Sequence, residues 1–168
     1  MRRIFMIRLL QDDDIEIACN IVNSNWKKVY AGYVNPQLLS TEGCLERTNR
    51  MKEDFLSGRL SNYVYEDNGQ SVALLSIGKT GDEDKLDAFE LWWLYILDTY
   101  QHKGIGGKLL TFAEEKAKCL GYKEIVIWAF KENLNAISFY KKHGYTQDKE
   151  HYLDTPYFAY GVRFCKYL

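Results

Sequence analysis

Phe89-Glu90-Leu91-Trp92-Trp93-Leu94-Tyr95-Ile96-Leu97 is followed within a few residues by Gln101-His102-Lys103-Gly104-Ile105-Gly106-Gly107. The first stretch is nearly continuous in apolar and aromatic side chains, the pattern of a strand covered on both faces, and so predicts the centre of a sheet. From Ile105 the apolar residues recur at Leu109, Phe112, Ala113, Ala117 and Leu120, a helical spacing that Gly121 ends as a C-terminal glycine does. The order is therefore buried strand, glycine-rich turn, helix.

Working outward, Ile125 to Phe130 reads as the next strand, and Ala136-Ile137 with Phe139-Tyr140 as a short helix ending at Gly144. Tyr145 to Tyr152 and Tyr157 to Lys166 read as a closing hairpin. Upstream, Asn62 to Glu66 and Ser71 to Gly78 flank Asp67-Asn68-Gly69, a hairpin turn signature. Before them lie two helices. The first follows Asp12-Asp13-Asp14 through Ile15, Ala18, Ile21, Val22 and Trp26, with acidic residues suited to its N-terminus. The second opens at Asn35-Pro36 and runs to about Phe55, with a break expected near Gly43. The order α-α-β-β-β-α-β-α-β-β predicts an α/β (α+β) fold, a mixed sheet with helices on both faces and a crossover through the helix from Ile105 to Leu120.

The 168 residues, 46% hydrophobic and 27% charged, fit one domain over 1–168. Twenty-two Lys and Arg against 23 Asp and Glu leave a net charge of -1, with no basic excess to draw the chain onto nucleic acid or an anionic membrane. Leu91 to Leu97, the longest uncharged apolar stretch, is far below the roughly 20 residues that span a bilayer. Met1-Arg2-Arg3-Ile4-Phe5-Met6-Ile7 begins like a leader, but Arg8 interrupts it before an apolar region of proper length develops, so secretion is not expected. Cys19, Cys44, Cys119 and Cys165 stand far apart, with no CxxC pair or histidine at ligand spacing. No metal site and no disulfide framework is expected, only reduced thiols in a cytoplasmic protein.

Glycines at 104, 106 and 107 let the backbone turn tightly and approach a ligand, and the unpaired N–H groups of the following helix favour an anion such as phosphate. Lys103 and Lys108 would add charge. The alternative is an ordinary flexible helix start. A Walker loop is excluded, because Gly107-Lys108-Leu109 lacks the hydroxyl that holds magnesium. A dinucleotide fingerprint lacks its third glycine at Leu109, although Glu124 lies about twenty residues on, so a nicotinamide enzyme stays as a distant alternative.

Gln101-His102-Lys103-Gly104-Ile105-Gly106 matches Q/R-x-x-G-x-G/A, the hallmark of the GCN5-related N-acetyltransferase (GNAT) superfamily, and here the chain resembles that family. The run Asn133-Leu134-Asn135-Ala136-Ile137-Ser138-Phe139-Tyr140-Lys141-Lys142-His143-Gly144-Tyr145 is similar to the family's second segment, an asparagine, a short helix with an aromatic-Tyr pair, then Gly and an aromatic. The element order agrees along nearly the whole chain, least over the first 60 residues. The resemblance implies a mostly antiparallel sheet of about six to seven strands, with acetyl-coenzyme A lying in a V between two splayed parallel strands. It implies main-chain contacts near Leu94, Tyr95 and Ile96 to pantetheine, a diphosphate held by Gln101 and the N–H groups of His102, Lys103, Gly104, Ile105, Gly106 and Gly107, and further contacts from Asn133 and Lys142. Tyr140 matches the tyrosine that serves many relatives as general acid.

Glu90 stands in an otherwise apolar strand, where a lone carboxylate is costly unless paired, hydrated or protonated. It lies 14 residues before Gly104, as does a glutamate that serves some relatives as a base, and strict alternation would group it with Trp92, Leu94 and Ile96. It can equally mark the wet end of the strand. Trp26, Tyr30 and Tyr33 flank the joint of the first two helices, where the resemblance places the acceptor wall; aromatics suit an apolar or cationic acceptor. Asp82, Glu83 and Asp84 either attract an ammonium group or form a solvated loop. The expected reaction is acetyl transfer to a primary amine of a small molecule or peptide, with a non-catalytic acyl-coenzyme A-binding regulatory module as the alternative. Tyr157, Phe158 and Tyr160 are expected to be exposed and to favour a homodimer.

Overall fold

The computed structural model describes residues 4–168. Seven strands form one sheet: β1 (Phe5–Leu9), β2 (Ser61–Asp67), β3 (Gln70–Lys79), β4 (Phe89–Ile96), β5 (Glu124–Phe130), β6 (Thr146–Leu153) and β7 (Ala159–Tyr167). Their spatial order is β1-β2-β3-β4-β5-β7-β6, which puts the apolar strand β4 at the centre. Among the described residues β4 and β5 are the one parallel pair; the other neighbours are antiparallel. The helices α1 (Ile15–Val29) and α2 (Thr41–Ser57) cover one face through Ala18, Val22, Trp26 and Met51. On the other face, α3 (Ile105–Cys119) and α4 (Leu134–Lys142) bury Leu109, Leu110, Ala113 and Tyr140.

Local chemistry sets the joints. Asn68 and Gly69 both have positive φ, 51° and 83°, which makes the β2–β3 connection a mirror-image turn matched to strand twist. The α2 region breaks at Ser40, not at Gly43: Pro36–Leu39 make a short 3-10 turn, then the Ser40 hydroxyl accepts the N–H of Gly43 at 3.1 Å and starts a new helix. Gly43 sits inside that helix, where a Cβ would lie 2.2 Å from the Gln37 carbonyl oxygen.

The sequence reading missed β1. Met1, Arg2 and Arg3 lie outside the described residues, but Phe5–Leu9 pairs with β2 from Phe5↔Asp67 to Leu9↔Tyr63. Arg8, which reads as an interruption, is held by Asp14 at 2.6 Å and Glu66 at 2.9 Å. No helix among the described residues is long and apolar enough to cross a membrane. Cys19 is buried, Cys119 is exposed, and all four cysteines are free.

In the acidic loop before β4, Asp82 and Asp84 are taken up by an ion cluster, while Glu83 stays exposed. Asp82 and Asp84 bind Arg163 of β7, whose side chain is only 2% exposed; Asp84 takes it bidentately at 2.8 Å and Asp148 of β6 bidentately at 3.0 Å. Trp128 of β5 donates its indole N–H to Asp82 at 2.9 Å. The guanidinium holds the Asp84 carboxyl far below the ordinary carboxylate range. Removing one partner of a buried ionic cluster leaves the others uncompensated. Arg163→Met is therefore expected to lower unfolding free energy by roughly 3–5 kcal/mol in urea titration at pH 7.

Candidate functional site

The parallel pairing of β4 with β5 covers Phe89↔Ile125, Glu90↔Val126 and Leu91↔Ile127, and then stops. Trp92 is the cause. It is an extra residue in β4, since Leu91 pairs with Ile77 of β3 and Trp93 with the adjacent Ser76, and such a bulge bends its strand. Past it the alternation inverts. Phe89, Leu91, Leu94 and Ile96 pack on the α3 face, whereas Trp93 and Tyr95 pack on the α1 face. The expected grouping of Glu90 with Leu94 and Ile96 is thus overturned.

Beside the unpaired end of β4, toward α3 and α4, opens a cavity of about 560 Å³. Leu94 and Ile96 line it. The Leu97 N–H donates to Val72 of β3 at 2.9 Å, so alternation turns the main-chain groups of Ile96 and Leu94 toward the gap. The Ile96 carbonyl accepts there from the amides of Asn25 at 3.0 Å and Gln101 at 3.2 Å. Tyr95 is not in this lining. Its hydroxyl accepts the Trp26 indole N–H at 3.2 Å, and its ring lines a smaller cavity with Tyr30 and Phe130.

At the mouth of the gap, residues 101–107 form a tight turn into α3, with φ of 58° at His102 and 79° at Gly104. Among the described residues no acceptor takes the main-chain N–H groups from His102 to Gly107, whereas Gln101 and Lys108 on either side are bonded. Unbonded donors at a helix N-terminus make an anion cradle, and His102, Gly104, Gly106 and Gly107 line the cavity. Gly106 is there for closeness: a Cβ would meet the Phe139 ring at 3.2 Å. Ile105 gives the cradle its N–H while its side chain enters the core. Gln101 ties the turn to the Asn25 side chain on α1 at 3.3 Å. The two lysines expected to add charge lie beside aromatic rings. Lys103 lies 4.9 Å from the Tyr100 ring centroid and Lys108 bonds the Tyr65 hydroxyl at 3.3 Å, and neither lines the cavity.

From α4, Asn133, Tyr140 and Lys142 all line the gap. Asn133 also caps the helix by accepting the Ala136 N–H at 3.2 Å. Tyr140 is 7% exposed, its ring packed against Phe139, Tyr145 and Phe164. Its hydroxyl makes no hydrogen bond with the described residues, and burial pushes its pKa further above the ordinary phenol value. It stays protonated at all working pH values.

Trp26, Tyr30 and Phe130 pack edge to face, with centroids 4.8 Å apart for Trp26–Tyr30 and 4.9 Å for Tyr30–Phe130. Tyr33 joins at 5.9 Å from Tyr30, its hydroxyl buried without a partner. Tyr157 is not the exposed residue expected: it packs against Trp26 and Phe130, while Phe158 and Tyr160 remain exposed. Tyr30 lines the main cavity, and Trp26 lines a separate groove of about 530 Å³ toward α2.

A strand pair opened by a bulge, with an N–H cradle at its mouth, coincides with the comparison to known families. The model of the acetyltransferase (GNAT) family matches residues 26–145. The chain belongs to the GNAT family. This GNAT protein is 26% identical over 148 residues to a spermidine N(1)-acetyltransferase of Thermoplasma acidophilum, covering 83% of this chain and 86% of the relative. An N-acetyltransferase of Staphylococcus aureus Mu50 superposes with TM-score 0.76 at 18% identity over 98% of both chains. The PaiA N-acetyltransferase of T. acidophilum in complex with coenzyme A superposes with TM-score 0.71 at 21% identity, covering 95% of this chain and 98% of that one.

Several residues of the site in this GNAT protein escaped the sequence reading. Asn25 carried a signal, since a polar residue sits on the apolar stripe Ile21-Val22-Trp26. Phe139, with Asn135, Ala136 and His143, lay within the quoted motif. Phe130 carried none, because its role comes from tertiary contact. Glu90, in contrast, lines none of these cavities. It accepts from the Thr80 hydroxyl at 2.7 Å and the Gly81 N–H at 3.3 Å, and burial pushes its pKa up to about 7 against the pull of those bonds. A carboxyl raised on folding binds more protons folded than unfolded between about pH 4.5 and 7, so it removes stability as pH rises through that window. Glu90→Gln is expected to gain on wild type by about 3 kcal/mol between pH 4 and pH 8, read from urea unfolding at both ends.

Proposed function

We propose that this protein transfers the acetyl group of acetyl-coenzyme A to a primary amine, with Tyr140 as the proton donor. One observation carries this reading. Tyr140, whose hydroxyl is unbonded among the described residues, and His102, Gly104, Gly106 and Gly107 of the turn, whose N–H groups are likewise unbonded, line the same cavity. The turn suits a diphosphate, the parted edges of β4 and β5 suit an extended amide-bearing arm, and the tyrosine stands where a thioester would end. PaiA in complex with coenzyme A and YncA of Salmonella typhimurium with acetyl-CoA, which share the fold, support that choice of cosubstrate.

In the reaction, the amine nitrogen forms a bond to the thioester carbonyl carbon, the C–S bond breaks, and the amine proton passes to water. Tyr140 protonates the departing thiolate. A thiol has a pKa near 8.5 and a phenol near 10, so the donation works when coupled to C–S cleavage. Burial makes Tyr140 a weaker acid still, which ties its donation closer to that moment. Asn25 and Gln101 hold the end of β4 and the glycine turn together, so the two parts of the cavity keep a fixed spacing. An amine near pKa 10 is deprotonated about once in a thousand at pH 7, and proximity supplies much of the acceleration without a dedicated base. Glu90, outside the lining, is not assigned that task.

The test is thiol release from acetyl-coenzyme A over a panel of primary amines. Tyr140→Phe is expected to lower kcat by roughly 10²–10⁴ while the coenzyme A dissociation constant stays within about twofold. A protein that binds coenzyme A tightly and acetylates no amine would be the regulatory module instead.

A further inference from the structure

We infer that the groove beside the cavity recognises an acceptor carrying a carboxylate, and that Arg47 reads that group. The inference rests on the acetyl-transfer reading above. Three arginines line the groove, and two are already answered. Arg59 is held bidentately by Asp54 at 2.8 and 2.9 Å, and Arg50 pairs with Glu46 at 3.9 Å. Arg47 has no carboxylate among the described residues. Its partners are neutral: the Asn23 side-chain oxygen at 2.7 Å, the Leu38 carbonyl and the Cys44 sulfur at 3.9 Å. These fix the guanidinium in place and leave Nε–H and one Nη2 proton unclaimed.

The position of Arg47 also changes what the aromatic wall can do. Its guanidinium lies 3.9 Å from the centroid of the Trp26 ring. One face of that ring is therefore occupied by a cation, and an ammonium group approaching it meets repulsion in place of cation–π attraction. The expectation that Trp26 favours a cationic acceptor is reversed. Trp26, Trp93, Met51 and Tyr157 make the remaining walls apolar, so the groove accommodates an apolar body with one anionic end. Half-buried and without a counter-charge, Arg47 is held somewhat below its ordinary pKa by desolvation, a cost that an arriving carboxylate offsets. Glu46, Glu53 and Asp54 at the same groove disfavour a dianionic phosphate more than a single carboxylate, which a guanidinium fork matches bidentately.

The groove adjoins the cavity across an aromatic wall: Trp26, which lines the groove, meets Tyr30, which lines the cavity, edge to face with centroids 4.8 Å apart, and donates to the Tyr95 hydroxyl at 3.2 Å. The proposed acceptor would lie against this wall with its carboxylate end toward α2.

The experiment compares apolar and aromatic amino acids with their amides and with the corresponding amines lacking the carboxylate, and includes spermidine as a polycation. The acids are expected to be preferred at least about tenfold in kcat/KM. Arg47→Gln is expected to raise KM for the acids about tenfold to hundredfold, with kcat within about twofold, and to leave the amides unchanged. Arg47→Lys is expected to recover part of the loss. Thermal melting and coenzyme A affinity check that each variant is folded. Transfer to amides or spermidine as efficient as to the acids overturns the inference and leaves the acetyl-transfer reading standing, as does an Arg47→Gln effect equal for all acceptors. Transfer to no acceptor by a protein that binds coenzyme A overturns both.

Discussion

The extra residue Trp92 in the central strand is where the geometry of this molecule is decided. It ends the pairing of β4 with β5 after three residues, and every element of the site follows from the gap it leaves. A parted strand pair exposes main-chain donors and acceptors that a continuous sheet would bury in its ladder, and such groups must find partners. The protein satisfies the Ile96 carbonyl with Asn25 and Gln101. The same bulge exchanges the faces of the strand, so Leu94 and Ile96 turn toward α3 while Trp93 and Tyr95 turn toward α1 and α2. One inserted residue thereby puts Leu94 and Ile96 in the cavity lining and Trp93 and Tyr95 on the opposite face.

A sheet opened along its middle needs its halves fastened elsewhere. The Arg163 cluster does this at the paired end, because Asp82 and Asp84 come from the β3–β4 connection while Arg163, Asp148 and Trp128 come from β7, β6 and β5. Lys85 adds a second fastening to Glu124 at the start of β5. Glu90 stands at this same end, and its raised pKa marks how dry the closed part of the seam is. The carboxylates that look in sequence like an exposed acidic loop are thus a structural clamp across the seam.

What the sequence disclosed follows the range of the interactions involved. The apolar run of β4, the periodicity of α3, the Asn68-Gly69 turn and the glycine turn are local patterns, and all lie close to where the residues place them. The order of helices and strands and their two-sided arrangement were legible for the same reason. The edge strand β1 was not, since Phe5, Met6 and Leu9 are mostly exposed and become a strand only through β2. The bulge was invisible because nothing local distinguishes Trp92 from Trp93; the break is set by the register of β3. Arg163 joins Asp82 and Asp84 across 81 and 79 positions, and the Arg47–Trp26 contact spans 21, beyond any local pattern.

The two ends of the site treat charge differently, and the lysines show how. Lys108, next to the glycine turn in sequence, is committed to the Tyr65 hydroxyl and lies 4.5 Å from the Phe5 ring centroid, and Lys103 turns to Tyr100. The glycine turn therefore offers an anion fixed dipoles: its unbonded N–H groups and the start of α3. Such donors cost little reorganisation when the ligand arrives, because the turn is already formed by His102, Gly104 and the Gln101 bonds. Backbone donors inside a cleft are also screened less by salt than exposed lysines are. A coenzyme shared by every turnover suits a cradle built from the main chain, which point substitutions alter little. In the proposed acceptor groove the charge instead sits on one side chain, Arg47, held by neutral neighbours, so a single substitution there would change the groove's charge without altering the glycine turn.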